Sequence, residues 1–114
     1  MHIKIIAVGK IKEDYVKKAT AEYIKRLSPY FSMTVAEVQA EQILDEALAE
    51  KYKETEADKI LALVKPNSYV ITLEIQGKML SSEEFAQKIK DISTSGVNEL
   101  VFIIGGANGL HKKV

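Results

Sequence analysis

The residues best suited to bind a small ligand stand in a glycine-rich run near the end of the chain, Gly105-Gly106-Ala107-Asn108-Gly109-Leu110-His111. Three glycines in five residues indicate either unusual backbone dihedrals or a backbone that another molecule approaches closely. The glycine spacing differs from the G-x-G-x-x-G pattern, and the run lacks the G-K-[ST] of a P-loop, so the nicotinamide and nucleoside triphosphate interpretations both fail. The pattern favours a ligand-facing loop over a plain turn.

A second loop that could meet a ligand covers residues 73–84, Leu-Glu-Ile-Gln-Gly-Lys-Met-Leu-Ser-Ser-Glu-Glu. Ser81 and Glu84 have the spacing of a capping box, which predicts that a helix starts there with Gly77 in the preceding turn. A helix N-terminus beside a strand end presents free N–H groups to a ligand. Taken alone, however, this loop is better explained as an ordinary strand–turn–helix connection.

Few other side chains have a pattern that predicts chemistry. His2 and His111 are the only histidines, and their separation without a nearby carboxylate pattern argues against a metal site. His111 stands next to two lysines, which favours a solvated side chain over a general base. The absence of cysteine excludes disulfides and thiolate metal sites. No carboxylate pair stands out for acid–base catalysis, so the sequence assigns no catalytic residue.

The composition predicts one globular domain over residues 1–114, with 46% hydrophobic and 28% charged residues. The chain has no apolar run near the ~20 residues that span a bilayer. Its first residues, Met-His-Ile-Lys-Ile-Ile, lack the features of a secretory signal. We therefore expect a cytoplasmic protein that binds no membrane and no metal.

Positive charge is concentrated at the start of the chain. Residues 1–30 contain seven Lys or Arg against three acids, whereas residues 31–64 contain three Lys against eight acids. A basic segment of this kind is suited to RNA phosphates, although charge alone favours a solvated helix surface. Tyr15 and Tyr23 could stack on RNA bases, but their helical spacing is more typical of core or boundary positions.

The elements that must position these loops alternate between strands and helices. Apolar and β-branched runs predict strands at 2–8, 31–38, 69–75 and 99–104, and amphipathic spacing predicts helices over 12–27, 42–64 and about 85–92. The first helix is expected to bury Val16, Ala19, Tyr23 and Leu27. This alternation predicts an α/β fold with a mostly parallel sheet and helices on both faces, with 69–75 and 100–104 at its centre. Ligands bind beyond the carboxyl ends of such strands, where the two loops begin.

Two stretches then resemble the signature motifs of a known family. They are Val-Ile-Thr-Leu-Glu-Ile-Gln-Gly-Lys-Met-Leu-Ser-Ser-Glu (70–83) and Val-Phe-Ile-Ile-Gly-Gly-Ala-Asn-Gly-Leu-His (101–111). Residues 5–13 and 22–30 resemble the start of the same family, the RlmH family of SPOUT-class methyltransferases. The resemblance spans the chain and is weakest at 40–60.

The resemblance implies an α/β-knot fold, a homodimer, and transfer of a methyl group from S-adenosylmethionine to N3 of a pseudouridine in 23S ribosomal RNA on the assembled ribosome. In the family, the leucine of the Leu-Glu-x-x-Gly-Lys motif and the first glycine of the Gly-Gly-x-x-Gly motif contact the methyl donor. Those residues are Leu73 and Gly105 here, and Gly106 is included as neighbouring backbone. Leu73 by itself has the pattern of a core residue, and only the motif assigns it to a site.

Family members continue for several tens of residues beyond the position of Val114. That segment supplies another strand, a donor-binding loop, the threaded helix of the knot and the residues of the reaction site. On the resemblance we therefore expect residues 1–114 to form an incomplete methyltransferase domain that lacks the knot-forming segment and is inactive alone. The alternative is a non-catalytic remnant that binds RNA or the ribosome.

Overall fold

Parallel strands and helices alternate along the part of the chain that the computed structural model describes, which is residues 1–40, 46–105, 110–111 and 114. The elements in order are β1 (His2–Val8), α1 (Asp14–Leu27), β2 (Ser32–Val38), a 3-10 turn (Glu46–Leu48), α2 (Ala49–Leu61), β3 (Tyr69–Leu73), α3 (Ser82–Thr94) and β4 (Glu99–Ile104). The predicted α/β class is confirmed. The predicted helix over 42–64 begins later, at Ala49, and residues 41–45 lie outside the described part.

The four strands form one sheet in the order β2-β1-β4-β3, and every pair is parallel. The centre therefore consists of β1 and β4, with His2 opposite Glu99 and Ala7 opposite Ile104. The prediction that 69–75 lies at the centre is wrong, because among the described strands β3 pairs with β4 alone and forms an edge of the sheet. A short apolar run does not distinguish an edge strand, which packs against a helix on one face, from a central strand.

The two faces of the sheet carry separate apolar clusters. One contains Ile6 and Ile103 of the sheet with Ile60 of α2, and the other contains Ile3 and Leu100 with Ile92 of α3. Adjacent residues of a strand point to opposite faces, so α2 and α3 cover opposite sides of the sheet. This confirms the expected helices on both faces. Each fully buried aliphatic side chain contributes roughly 1.5 to 3 kcal/mol to the stability of the sheet.

The face of β1 that lies against α2 also carries a lysine. Lys4 lies between Ile3 and Ile5, so its side chain projects toward α2, and its ammonium donates to the carbonyl of Leu63 at 2.8 Å. Leu63 follows the end of α2, where unpaired carbonyls make a positive charge favourable. The lysine is thus tolerated beneath the helix because its charge reaches the negative end of the helix dipole.

Helix α1 buries less than its sequence predicts. None of its residues is buried, and Val16, Thr20 and Ile24 form its half-buried side. The expectation that Tyr23 is buried is wrong, since 63% of it is exposed and the Arg26 guanidinium lies 5.8 Å from its ring. Ala19 is also exposed. Tyr15 is 75% exposed, so the core or boundary interpretation of both tyrosines is wrong as well.

Candidate functional site

Leu73 and Gly105 lie at neighbouring strand ends, although 32 positions separate them in the sequence. Leu73 is the last residue of β3 and is paired in register with Ile104, the last residue of β4. Gly105 follows Ile104 directly and is half-buried. Leu73 is 51% exposed, so a large part of its side chain is free to contact a ligand. Gly106, the third predicted contact, lies outside the described residues.

A groove of about 570 Å³ opens at this end of β3. Its volume lies within the roughly 300 to 1,000 Å³ typical of small-molecule sites. The residues that line it come from the end of β3, the following loop and the first turn of α3: Ile71, Thr72, Leu73, Glu74, Ile75, Gly77, Lys78, Leu80 and Phe85. The groove thus includes Leu73 and adjoins the strand end that carries Gly105.

Phe85 fixes the helical wall of the groove. Its ring centroid lies 6.0 Å from that of Phe102 on β4, with the ring planes inclined by 51°. Such tilted pairs are a preferred aromatic geometry and contribute about 0.5 to 1.5 kcal/mol beyond area burial. The contact ties the first turn of α3 to a central strand, so the groove has a rigid side.

The start of α3 has the capping box that the sequence predicts. The Ser81 hydroxyl accepts from the Glu84 backbone N–H at 3.1 Å, and the Glu84 carboxylate accepts from the Ser81 backbone N–H at 3.1 Å. Gly77 also lies in the expected turn, where its N–H donates to the Glu74 carbonyl at 3.1 Å. A Cβ at Gly77 would lie only 3.1 Å from that same oxygen, which favours glycine there. The loop is therefore held at both ends.

The same contacts lower the pKa of the Glu84 carboxyl, chiefly through the Ser81 backbone N–H and further through the Ser81 side chain. A lowered carboxyl pKa stabilises the fold above the ordinary glutamate value, and this contribution is lost as the pH falls through the lowered value. We expect Ser81→Ala to reduce the free energy of unfolding by about 1 kcal/mol at neutral pH. We expect Glu84→Gln to lose less stability on acidification than the wild type does.

Urea unfolding of both variants between pH 7 and pH 3 measures these effects. Ser93→Ala is a suitable control, because its hydroxyl donates to the Lys90 carbonyl inside α3 and caps no N–H group. Equal losses in Ser81→Ala and Ser93→Ala would contradict the capping interpretation.

The environment of one of the two histidines differs from its prediction. The expectation that His111 is solvated is wrong, because its side chain is only 11% exposed and its Nε2 lies 3.4 Å from the Glu50 carboxylate on α2. Packing of Leu110 and Val114 on the α2 side of the sheet brings the histidine there. His2 is the first residue of β1, at the edge of the sheet opposite the carboxyl ends of the strands. Its ring nitrogens lie 2.9 and 3.0 Å from the hydroxyls of Ser32 and Thr34, respectively. Neither histidine lines the groove.

The described part of the chain has neither a membrane-spanning helix nor a metal-binding cluster. None of its helices combines the length and the apolarity needed to cross a membrane. Within the same residues, no group of three or more His, Asp or Glu side chains is arranged to hold a metal ion.

Of the nine residues that line this groove, sequence reasoning assigned only Leu73 to the site. The eight that it missed include the two charged residues and two of the apolar residues: Glu74, Lys78, Leu80 and Phe85. All four lie in or next to the loop 73–84, which looked like an ordinary connection. One feature of the sequence could have indicated a binding site here. An acidic residue, Glu74, and a basic residue, Lys78, stand four positions apart, directly after the end of a strand that neighbours the glycine-rich loop.

Together, the parallel sheet and the groove at its carboxyl edge define an α/β protein with a candidate small-ligand site beside Leu73. A family model described as "Predicted SPOUT methyltransferase" matches residues 1–114. The chain belongs to this family of SPOUT methyltransferases, enzymes that take their methyl group from S-adenosylmethionine.

The groove residues suit that methyl donor. Leu73, Leu80 and Phe85 offer apolar surface for a flat base. The backbone leaves the sheet ladder after Leu73, and the Glu74 carbonyl accepts from the Gly77 N–H in the turn that follows. Glu74 and Lys78 add one negative and one positive side chain to the same groove. A molecule that combines a base, a sugar and an amino-acid group matches this mixture of surfaces.

Proposed function

We propose that the protein transfers a methyl group from S-adenosylmethionine to N3 of a pseudouridine in 23S ribosomal RNA, acting in the cytoplasm as a homodimer on the assembled ribosome. The observation that carries the donor half of this proposal is the pairing of Leu73 with Ile104, which sets Leu73 and Gly105 side by side next to the groove. Family membership supports the reaction class. The resemblance of residues 70–83 and 101–111 to the RlmH family supports the particular acceptor.

The role of the chain in this reaction is to position the donor. The donor supplies an electrophilic methyl group, and the chain must hold it against the acceptor nitrogen. Leu73 packs on the donor with its exposed half, and Gly105 allows close approach of the backbone because it has no side chain. Alignment of this kind can contribute about 7 to 11 kcal/mol to lowering a barrier.

The outer side of α1 is suited to the RNA half of the proposal. Lys18 and Lys25 are exposed two helical turns apart, on the side away from the half-buried Val16, Thr20 and Ile24. Neither lysine has an ion pair with the described residues, whereas Arg26 pairs with Glu22 at 3.1 Å. Tyr15 and Tyr23 are exposed on the same helix, and aromatic rings of this kind stack on unpaired RNA bases.

We expect the double substitution Lys18→Gln and Lys25→Gln to weaken binding to ribosomes and to flatten the dependence of log Kd on log salt by about 1 to 2 units, since each lost phosphate contact removes about 0.9. Sedimentation of the protein with ribosomes at increasing salt measures the slope. The matched control is Lys51→Gln with Lys65→Gln, two exposed lysines outside α1. Equal slopes in both double variants would identify the α1 lysines as a solvated surface.

Tritiated S-adenosylmethionine tests the reaction itself. We expect label in 23S RNA when the full-length protein is incubated with ribosomes that lack the modification, and no label when that uridine has not been converted to pseudouridine. Label in another RNA or at another position would contradict the acceptor. Ribosome binding without donor binding or label would instead favour the non-catalytic alternative.

A further inference from the structure

Two opposite charges share the groove without neutralising each other. Glu74 follows Leu73 at the end of β3, and Lys78 stands four residues later, beyond the turn at Gly77. Both residues line the groove, and neither side chain has a hydrogen bond or an ion pair with the other or with the rest of the described chain.

We propose that Glu74 and Lys78 bind the amino-acid end of the methyl donor, Glu74 accepting from its ammonium group and Lys78 donating to its carboxylate. This inference rests on the proposed function and deepens it, because it assigns the recognition of one part of the donor to two residues. An α-amino acid group carries an ammonium and a carboxylate attached to the same carbon atom. A groove with one unpaired carboxylate and one unpaired ammonium is complementary to it.

The positions of the apolar and charged residues in the groove are consistent with this orientation of the donor. Apolar residues Leu73, Leu80 and Phe85 provide the surface for the base of the donor, and the two charges lie on the loop that closes the groove. The turn hydrogen bond from the Gly77 N–H to the Glu74 carbonyl holds the loop between them. A ligand lying along the groove would therefore meet apolar contacts and charged contacts at different points.

Calorimetric titration with three ligands tests the assignment. S-adenosylmethionine and S-adenosylhomocysteine both carry the amino-acid group, and methylthioadenosine lacks it. We expect Lys78→Met and Glu74→Gln each to weaken the first two by about three- to tenfold, the range for charged contacts that a ligand partly covers. Binding of methylthioadenosine should stay within twofold of the wild type in both variants.

Matched controls are Lys65→Met, in the turn before β3, and Glu37→Gln, on the opposite edge strand β2. Both should leave all three affinities unchanged. Circular dichroism of each variant checks that the fold is retained.

The outcomes separate the inference from the proposed function. Equal losses for methylthioadenosine and S-adenosylmethionine would show that Glu74 and Lys78 act on the groove as a whole, which overturns the inference alone. A loss in Glu74→Gln for S-adenosylmethionine but not for S-adenosylhomocysteine would place Glu74 at the sulfonium, which also overturns it. Failure of the wild-type protein to bind any of the three would overturn the proposed donor site, and the inference with it.

Discussion

Replacing Gly105 with valine is expected to reduce the affinity for S-adenosylmethionine by more than tenfold, about 1.4 kcal/mol. The reason is steric. Gly105 follows β4 next to the exposed Leu73, and a branched side chain there would occupy the space in which the donor approaches the backbone. Isothermal titration of the wild type and the variant measures the change.

Two companions make this result interpretable. Gly105→Ala adds only a methyl group and should give an intermediate loss. Ile104→Val changes the preceding residue, which is partly exposed at the end of β4, and should have little effect. Unchanged donor affinity in Gly105→Val would show that this residue is not part of the site. Loss of the native circular dichroism signal would show that the substitution disrupts the fold instead.

The largest effect on stability is expected at Leu100, which is fully buried in the central strand β4 beneath α3. Truncating a buried leucine to alanine removes its apolar surface from the core and leaves a cavity, which costs about 2 to 5 kcal/mol. A domain of this size has about 5 to 15 kcal/mol of stability in total. Urea unfolding of Leu100→Ala, at the same protein concentration as the wild type, measures the loss.

Val35→Ala is the matched control, since Val35 lies in the edge strand β2 and is largely exposed. It should cost less than 1 kcal/mol. A similar small cost for Leu100→Ala would contradict the position of Leu100 in the core.

Most of the strands could be predicted because their runs of apolar and β-branched residues favour a strand over other secondary structure. The bounds of β1 and β4 agree with their apolar runs, and the capping box at Ser81 and Glu84 places the start of α3. The order of the strands could not be predicted, because an apolar run has the same composition in an edge strand as in the centre. The orientation of α1 was missed for a related reason. Tyr23 has an apolar ring and a polar hydroxyl, so its residue type does not decide whether its side of the helix faces the sheet or the solvent.

The site divides in the same way. Leu73 and Gly105 came from motif resemblance, and the register of β3 with β4 explains why two motifs far apart in sequence are neighbours. Glu74, Lys78 and Phe85 could not be assigned from the sequence, because their role depends on how the loop 74–81 folds back against α3. The placement of His111 depended on packing of the last residues against α2, which no local pattern indicates.

The strand order has a consequence for how the protein is made. Strand β1 is the first to leave the ribosome. One of its two partner strands, β4, is available only after residues 99–104 have been synthesised. Strand β3, with Leu73 at its end, has no partner in the sheet until the same moment. Pairings between distant parts of a chain are slow to form, and unpaired strand edges are prone to aggregate meanwhile. The strand end that carries Leu73 thus gains its partner only with β4, and a nascent chain ending before residue 99 would leave β3 unpaired and one edge of β1 open.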